Sequence, residues 1–277
     1  MKTYGQFCPI AKAAELFCER WTALILRDLS LGTSRFAQLQ RGIARASPTL
    51  LSRRLRKLEA EGIVERRRSD SGRSWTYHLT PAGEEFVPIV RALGVWGQRW
   101  SRRELADHEM DSGLLLWTIE RGARSDAFGD RQTVLKLTFE DRPIHRRDYW
   151  YVTGKNGTQL CITDPGFAVD LYLITTLRDM IYIWRGDLAL ARAEDEGRIE
   201  ILGATWARRA FPRWLARSLF ADIKSERADL HAHGEPAPLQ VFDGKHATLH
   251  GRRKITQQPE HPSHNRSTAR LRIPGPG

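Results

Sequence analysis

The chain has 277 residues and a formal net charge of +11, a length at which we expect two domains rather than one. It contains no apolar run long enough to span a membrane and no signal-peptide pattern, so we expect a cytoplasmic protein without a membrane partner. Its three cysteines, Cys8, Cys18 and Cys161, are too few and odd in number for a disulfide scaffold.

The positive charge is concentrated in the first 103 residues, which hold 19 basic and 9 acidic side chains. Residues 104–230 hold 18 basic and 21 acidic side chains, and residues 231–277 hold 7 and 3. Basic side chains supply most of a protein's affinity for the phosphates of double-stranded DNA, so this asymmetry indicates a DNA-binding N-terminal segment. An anionic membrane surface would attract the same charge.

Two short helices are predicted ahead of the most basic segment. The first is a buried helix that ends near Gly32, and its apolar stripe consists of Trp21, Leu24, Ile25 and Leu29. The second begins after Thr33 and Ser34, and its apolar positions are Phe36, Leu39 and Ile43.

A basic amphipathic helix follows. Ser47 can cap its first turn, and Pro48 suits the first position because its missing N–H would be unpaired there. One face is apolar and consists of Leu51, Leu55 and Leu58. The opposite face offers hydroxyl and guanidinium groups and consists of Thr49, Ser52, Arg53 and Arg56. The helix is expected to end at Gly62.

Residues 63–68 and 74–79 are predicted to form a hairpin around the turn-forming segment 69–72. The hairpin is crowded with Arg66, Arg67, Arg68 and Arg73. An ordinary helix and hairpin with a solvated charged face would contain the same residue types. Three helices followed by a two-stranded wing favour a winged helix-turn-helix, in which a helix enters the major groove of DNA.

A further helix is predicted from Thr80 and Pro81 onwards. Its heptad-like apolar stripe consists of Phe86, Ile89, Leu93, Trp96 and Trp100. Such a stripe favours pairing with a second copy of the chain, although it would also allow the helix to fold back on its own domain. Pro88 is expected to kink the helix or to mark a late start.

Residues 8–100 resemble the HxlR-type family of bacterial winged helix-turn-helix regulators, which are relatives of the MarR group. The matching segments are FCPI (7–10), ERWTALILRDL (19–29), RFAQLQ (35–40), SPTLLSRRLRKLEAEGIVERR (47–67) and YHLTPAGEEFVPIVRALGVWG (77–97). The resemblance implies a homodimer on palindromic operator DNA and no enzymatic activity. It places the DNA contacts on Thr49, Ser52, Arg53, Arg56, Arg66, Arg68 and Arg73.

Cys8 occupies the position at which several HxlR-type regulators sense oxidants or electrophiles. That chemistry requires a lowered thiol pKa, which nearby basic groups or a helix N-terminus can provide. The alternative is that Cys8 only packs against the first helix. Cys18 is expected to be a small core residue.

Beyond Glu104 the pattern changes to strands and helices, so the fold class is mixed, with an α+β domain after the winged helix. The predicted boundaries are 1–104 for the DNA-binding domain with its dimerisation helix, 105–130 for a linker, 131–230 for the α+β domain and 231–277 for a disordered basic tail. Five strands are expected, two of them joined by a turn at Asn156 and Gly157. Two helical pieces are expected after Thr205, the second beginning at Pro212.

The expected order is a hairpin, a strand that ends near Asp170, a helix over 177–184, a bend at 184–187, a short helix, a strand over 197–203 and a terminal helix. In this order, residues 131–222 resemble the sterol carrier protein type-2-like domains. The resemblance implies an apolar tunnel that binds lipids or other hydrophobic molecules. The candidate lining residues, each of which would also suit an ordinary core, are Leu173, Leu177, Met180, Ile181, Trp184, Trp206, Phe211, Trp214 and Leu219.

No catalytic constellation, cofactor motif or metal-ligand pattern stands out. Six of the nine histidines lie in the tail, including His231 and His233, but that composition supplies no fixed metal geometry. The leading hypothesis is therefore a one-component transcriptional regulator that binds operator DNA and a hydrophobic effector. The alternatives are a regulator that senses oxidants or electrophiles through Cys8, and a carrier of lipids or other hydrophobic molecules.

Overall fold

The computed structural model describes residues 3–69, 72–101 and 104–226. All of them lie in the first of two units, Met1–Glu235. The predicted disordered tail, 231–277, lies outside the described residues.

The N-terminal part has the element order of a winged helix-turn-helix. Its elements are α1 (Pro9–Phe17), α2 (Thr22–Ser30), α3 (Phe36–Gly42), α4 (Pro48–Ala60), β1 (Val64–Arg68), β2 (Trp75–Leu79) and α5 (Pro81–Trp96). The strands β1 and β2 pair antiparallel with Val64 opposite Leu79 and Arg68 opposite Trp75. The three predicted helices and the hairpin are therefore confirmed, each within two or three residues of its expected bounds.

The core of this part is formed where the apolar faces of α2, α3 and α4 meet. Its fully buried side chains include Ile25, Leu26, Leu39, Leu51, Leu55 and Leu58. Two members of the predicted stripe of α2 differ from expectation. Leu24 is exposed, because Leu26 takes its place in the core, and Trp21 caps the helix in a left-handed conformation.

Helix α5 begins at a well-capped end and continues as a π-helical turn, Gly97–Ser101. The hydroxyl of Thr80 accepts from the Gly83 amide at 3.3 Å and donates to the Gly62 carbonyl at 2.6 Å, which ties α5 to the base of the wing. Pro88 lies inside the helix and does not delay its start.

The C-terminal part is an α+β arrangement around a five-stranded sheet. Its elements are α6 (Ser112–Gly122), β3 (Thr133–Phe139), β4 (Asp148–Gly154), β5 (Gly157–Cys161), β6 (Leu171–Thr175), α7 (Leu177–Arg185), α8 (Leu190–Asp195), β7 (Ile199–Gly203) and α9 (Thr205–Trp214). The strand order is β5-β4-β3-β6-β7, with β3 and β6 parallel and the other neighbours antiparallel.

One face of the sheet carries the second core. Cross-strand partners such as Leu137 and Leu173 lie side by side in the parallel pair, so they point to the same face. Helices α6, α7 and α9 contribute to this core with side chains that include Leu116, Met180 and Trp214.

Two stretches of the C-terminal part differ from the sequence-based expectation. Residues 105–130, predicted as a linker, contain α6, whose Leu115, Leu116 and Ile119 are buried in the sheet's core. The two helical pieces predicted after Thr205 are one helix, α9. Pro212 is tolerated inside it because its missing N–H removes only one hydrogen bond near the helix end.

A buried carboxylate joins the two parts. Asp28 on α2 is fully buried and accepts from Arg27 at 2.9 and 3.1 Å. Arg121 on α6 lies 3.6 Å from the same carboxylate and donates to the Thr33 hydroxyl at 3.0 Å. The contacts of Arg121 with Asp28 and Thr33 therefore connect α6 to the winged helix.

Gly42 permits this close approach. A Cβ atom there would overlap the Asp28 carboxylate and lie 2.9 Å from the Cζ3 atom of Trp117. We expect Gly42→Ala to lower the free energy of unfolding by about 1–3 kcal/mol through overpacking, measured by urea denaturation. The control is Gly97→Ala, where the new Cβ meets nothing within 4 Å and the backbone is helical. Equal stability of the two variants would contradict this packing.

Candidate nucleic-acid interface

Helix α4 is amphipathic in the manner that the sequence predicts. The Ser47 hydroxyl accepts from the Leu50 amide at 3.2 Å, and Pro48 occupies the first turn. The buried leucines Leu51, Leu55 and Leu58 hold one face against the core. The opposite face therefore points outward, with Thr49, Arg53 and Arg56 exposed and Ser52 half-buried.

The basic side chains of α4 fall into two groups, those with an ion pair and those without one among the described residues. Arg54 forms an ion pair with Glu19, and Lys57 lies 3.6 Å from the same carboxylate. Arg53 and Arg56 have no ion pair or hydrogen bond to any side chain in the described part of the chain. Their spacing of three residues places them on the same side of the helix.

The wing adds further guanidiniums. Arg66 and Arg68 both stack on Trp75, with their Cζ atoms 4.3 and 4.6 Å from the ring centroid. Arg66 also lies 3.7 Å from Glu59, and Arg68 donates to the Gly72 carbonyl at 3.0 Å. These contacts hold both arginines along the wing, because a cation is attracted to the face of an indole ring.

Arg67 and Arg73 behave differently from the stacked pair. Arg67 is paired with Glu65 on its own strand. Arg73 is exposed at the far end of the hairpin. The structure therefore brings Arg66, Arg68 and Arg73 to the same hairpin.

Trp75 is a functional candidate that sequence reasoning missed. The signal was present, since the register of a short hairpin places Trp75 directly opposite Arg68. An indole beside two arginines on one face of a ribbon is a cation–π arrangement. It also keeps 40% of its surface exposed.

All of the predicted ligand-pocket residues except Leu219 lie in the core of the C-terminal part or pack against it. Six are buried: Leu173, Leu177, Met180, Ile181, Phe211 and Trp214. Trp184 and Trp206 are half-buried and packed against that core. Leu219 is 68% exposed because it follows the end of α9 instead of lying on a second helix. Neither of two cavities in the described part of the chain, of about 260 and 420 Å³, is lined by any of these residues.

Cys8 and Cys18 lie at the two ends of α1. Cys8 is half-buried and directly precedes α1. Its carbonyl accepts a hydrogen bond from the Lys12 amide at 3.1 Å. Cys18 is exposed at the end of α1 and does not belong to the core, contrary to expectation.

Within residues 3–69, 72–101 and 104–226, no group of three or more His, Cys, Asp or Glu is placed to hold a metal ion. Nor does any helix in those ranges combine the length and apolar character that crossing a bilayer requires.

Comparison with known proteins identifies the N-terminal part. Residues 16–105 match a family model described as HxlR-like helix-turn-helix. YvaP of Bacillus subtilis, an uncharacterized HTH-type transcriptional regulator, is 33% identical over 98 residues, which cover 35% of this chain and 91% of the relative. An uncharacterized HTH-type transcriptional regulator of Synechocystis sp. is 32% identical over 110 residues, which cover 39% of this chain and 82% of the relative.

Among solved structures, the reduced form of the transcriptional regulator YodB from B. subtilis is similar to this chain with a TM-score of 0.30 and 29% identity. The match covers 34% of this chain and 93% of that one. The family model covers the part of the chain that contains α2 to α5, and each of the two relatives is covered over most of its own length. The chain therefore belongs to the HxlR-like helix-turn-helix family.

Proposed function

We propose that this protein is a one-component transcriptional regulator that binds operator DNA as a homodimer and changes its DNA affinity in response to a small molecule. The observation that carries the proposal is the outward face of α4, where Arg53 and Arg56 are exposed without an ion pair to the described residues. The names of the relatives, all HTH-type transcriptional regulators, support the same function. No enzymatic activity is proposed.

In this proposal α4 enters the major groove and the wing contacts the neighbouring backbone. Thr49, Ser52, Arg53 and Arg56 face the base edges and adjacent phosphates, because a groove about 12 Å wide admits one helix. Arg66, Arg68 and Arg73 contact phosphates, which position the protein without reading the sequence.

The homodimer is proposed to form through α5 and the turn that follows it. Four apolar side chains of the stripe are 48–58% exposed: Ile89, Leu93, Trp96 and Trp100. Phe86, the fifth, instead stacks on Phe17 of α1 with ring centroids 3.4 Å apart. One end of the stripe is thus used within the chain. Phe220 also packs against Gly94, and Ser225 donates to the Arg99 carbonyl at 3.3 Å. The exposed parts of the four remaining side chains are what we propose a second copy covers.

The C-terminal α+β part is proposed as the effector domain. We place the DNA-binding domain at residues 1–104 and let the effector domain begin at about residue 105, because α6 packs in the core of the sheet. An apolar ligand between sheet and helices, as in sterol-carrier-like domains, remains a proposal supported by the apolar side chains gathered there. Sensing through Cys8 and a carrier function remain alternative predictions.

The role of α4 can be tested with the double variant Arg53→Ala/Arg56→Ala. We expect it to weaken binding to an operator duplex at least tenfold, since each lost contact costs about 1–3 kcal/mol. Fluorescence anisotropy at fixed salt measures the affinity. The matched control is Arg192→Ala/Arg208→Ala, which removes two exposed arginines of α8 and α9. Unchanged affinity of the α4 variant would exclude this helix as the DNA-reading element.

The wing has a different expected signature. The DNA association constant K falls as the salt concentration rises. Arg66→Ala and Arg68→Ala should each make the plot of log K against log salt concentration less steep by about 0.9, because each removes one phosphate contact. The order of preference among operator variants should stay the same. The control is Arg67→Ala, which removes an arginine already paired with Glu65. A change in sequence preference would instead place the wing arginines on base edges.

The dimer is tested by placing a charge on the stripe. Leu93→Asp should convert a dimer into a monomer in sedimentation velocity experiments, because an aspartate buried in an apolar interface has no partner. Arg91→Asp introduces the same residue at an exposed position between two stripe residues and should leave the dimer intact. A wild-type protein that sediments as a monomer at micromolar concentration would overturn the proposed interface.

A further inference from the structure

A cavity of about 420 Å³ lies where the winged helix meets the C-terminal part. Its walls come from both parts: the turn after α2 and helix α3 on one side, and α6 and the β4–β5 turn on the other. The polar groups that face it belong to Thr33, Gln38, Arg41, Glu120, Arg121 and Thr158. This volume falls in the range of about 300–1,000 Å³ that is typical of small-molecule sites.

The charges around the cavity do not cancel. Asp28 is already bound by both donating nitrogens of Arg27, at 2.9 and 3.1 Å. Glu120 accepts from Arg41 at 2.7 Å and, through its other oxygen, from the Leu160 amide at 3.0 Å. The third guanidinium, Arg121, lies 3.6 Å from the Asp28 carboxylate that Arg27 occupies. Three cations thus face two carboxylates, and Arg121 supplies the surplus charge.

Arg121 is also held in place with donors to spare. Its Nη1 donates to the Thr33 hydroxyl at 3.0 Å, and its Cζ lies 4.2 Å from the ring centroid of Trp117. A guanidinium has five N–H donors, so most of them are left by these contacts. Burial lowers the pKa of Arg121, Asp28 opposes that change, and the charge of Arg27 lowers the pKa further. An anion in the cavity would relieve this excess of positive charge.

We propose that the cavity binds a small ligand with an oxyanion group, a carboxylate or a phosphate ester, with Arg121 as the charged anchor. The Thr158 hydroxyl offers a neutral hydrogen bond around it, and Gln38 forms part of the exposed rim. This site is separate from the apolar pocket predicted between sheet and helices, and it extends the proposed function by naming a second, polar class of effector.

The position of the site gives the ligand a route to the DNA-reading helix. Its walls include α3, which directly precedes α4 in the helix-turn-helix, and α6, which is fixed in the core of the sheet. A ligand that contacts both α3 and α6 stabilises the arrangements in which the distance between these helices allows both contacts. Such a difference in affinity between two arrangements is what an effector needs to shift DNA binding.

The test uses the full chain without DNA and follows thermal unfolding at constant ionic strength. The probes are benzoate for a carboxylate, inorganic phosphate for a phosphate ester, and benzamide as the neutral analogue of benzoate. We expect benzoate or phosphate to raise Tm saturably, by about 3 °C at a tenfold excess over Kd, and benzamide to leave Tm unchanged. The anion that raises Tm shows whether the ligand carries a carboxylate or a phosphate group.

Two variants at one exposed position show where the anion binds. Gln38→Trp should fill the cavity and abolish the Tm shift, whereas Gln38→Ala should retain it. The proposal is overturned if neither anion raises Tm saturably or if Gln38→Trp responds like the wild type. Because no DNA is present, such a failure would leave the proposed operator binding untouched, and a failure of operator binding would leave this site untouched.

Discussion

The burial of three leucines on one side of α4 is the constraint on which the account of this protein depends. Leu51, Leu55 and Leu58 are at most 1% exposed, and they fix the rotation of the helix about its axis. Because the helix cannot turn without exposing them, Arg53 and Arg56 are held outward. Burial of each leucine contributes about 1.5–3 kcal/mol to the stability of this arrangement.

A second constraint links this helix to the rest of the chain. The Asp28 carboxylate is shared between Arg27 of the winged helix and Arg121 of α6. Arg41 and Glu120 add a more exposed pair across the same junction. The sheet is thus attached next to α3, which directly precedes α4 in the chain. A rearrangement of the sheet against the winged helix would have to break or replace these pairs, which makes the junction a natural place for regulation.

Much of the fold was accessible from the sequence because local signals were strong. The N-cap Ser47, the leucine spacing of α4 and the Asn156–Gly157 turn each specify an element without knowledge of the neighbours. The signals failed where tertiary packing decides. Leu24 has helical spacing, but Leu26 takes the inward position. Helix α6 contains a short apolar run, but polar segments flank it and the core that buries it comes from strands distant in the sequence.

The candidate site shows the same division. The basic face of α4 follows from helical periodicity, which is local. The stacking of Arg66 and Arg68 on Trp75 depends on hairpin register, and the charge surplus at Arg121 depends on a contact between residues 93 positions apart in the sequence, 28 and 121. Such long-range juxtapositions cannot be obtained from residue spacing along one element.

We propose that the outward face of α4 reads duplex DNA and that a two-fold symmetric dimer presents two such faces. The most direct test selects binding sites from a random duplex library and then maps the selected duplexes by footprinting. We expect a palindrome whose two half-sites are centred about one or a small whole number of helical turns apart, about 34–36 Å per turn. We also expect that protection is lost with Arg53→Ala/Arg56→Ala. Enrichment of no sequence, or a footprint that the double variant reproduces in full, would contradict this proposal.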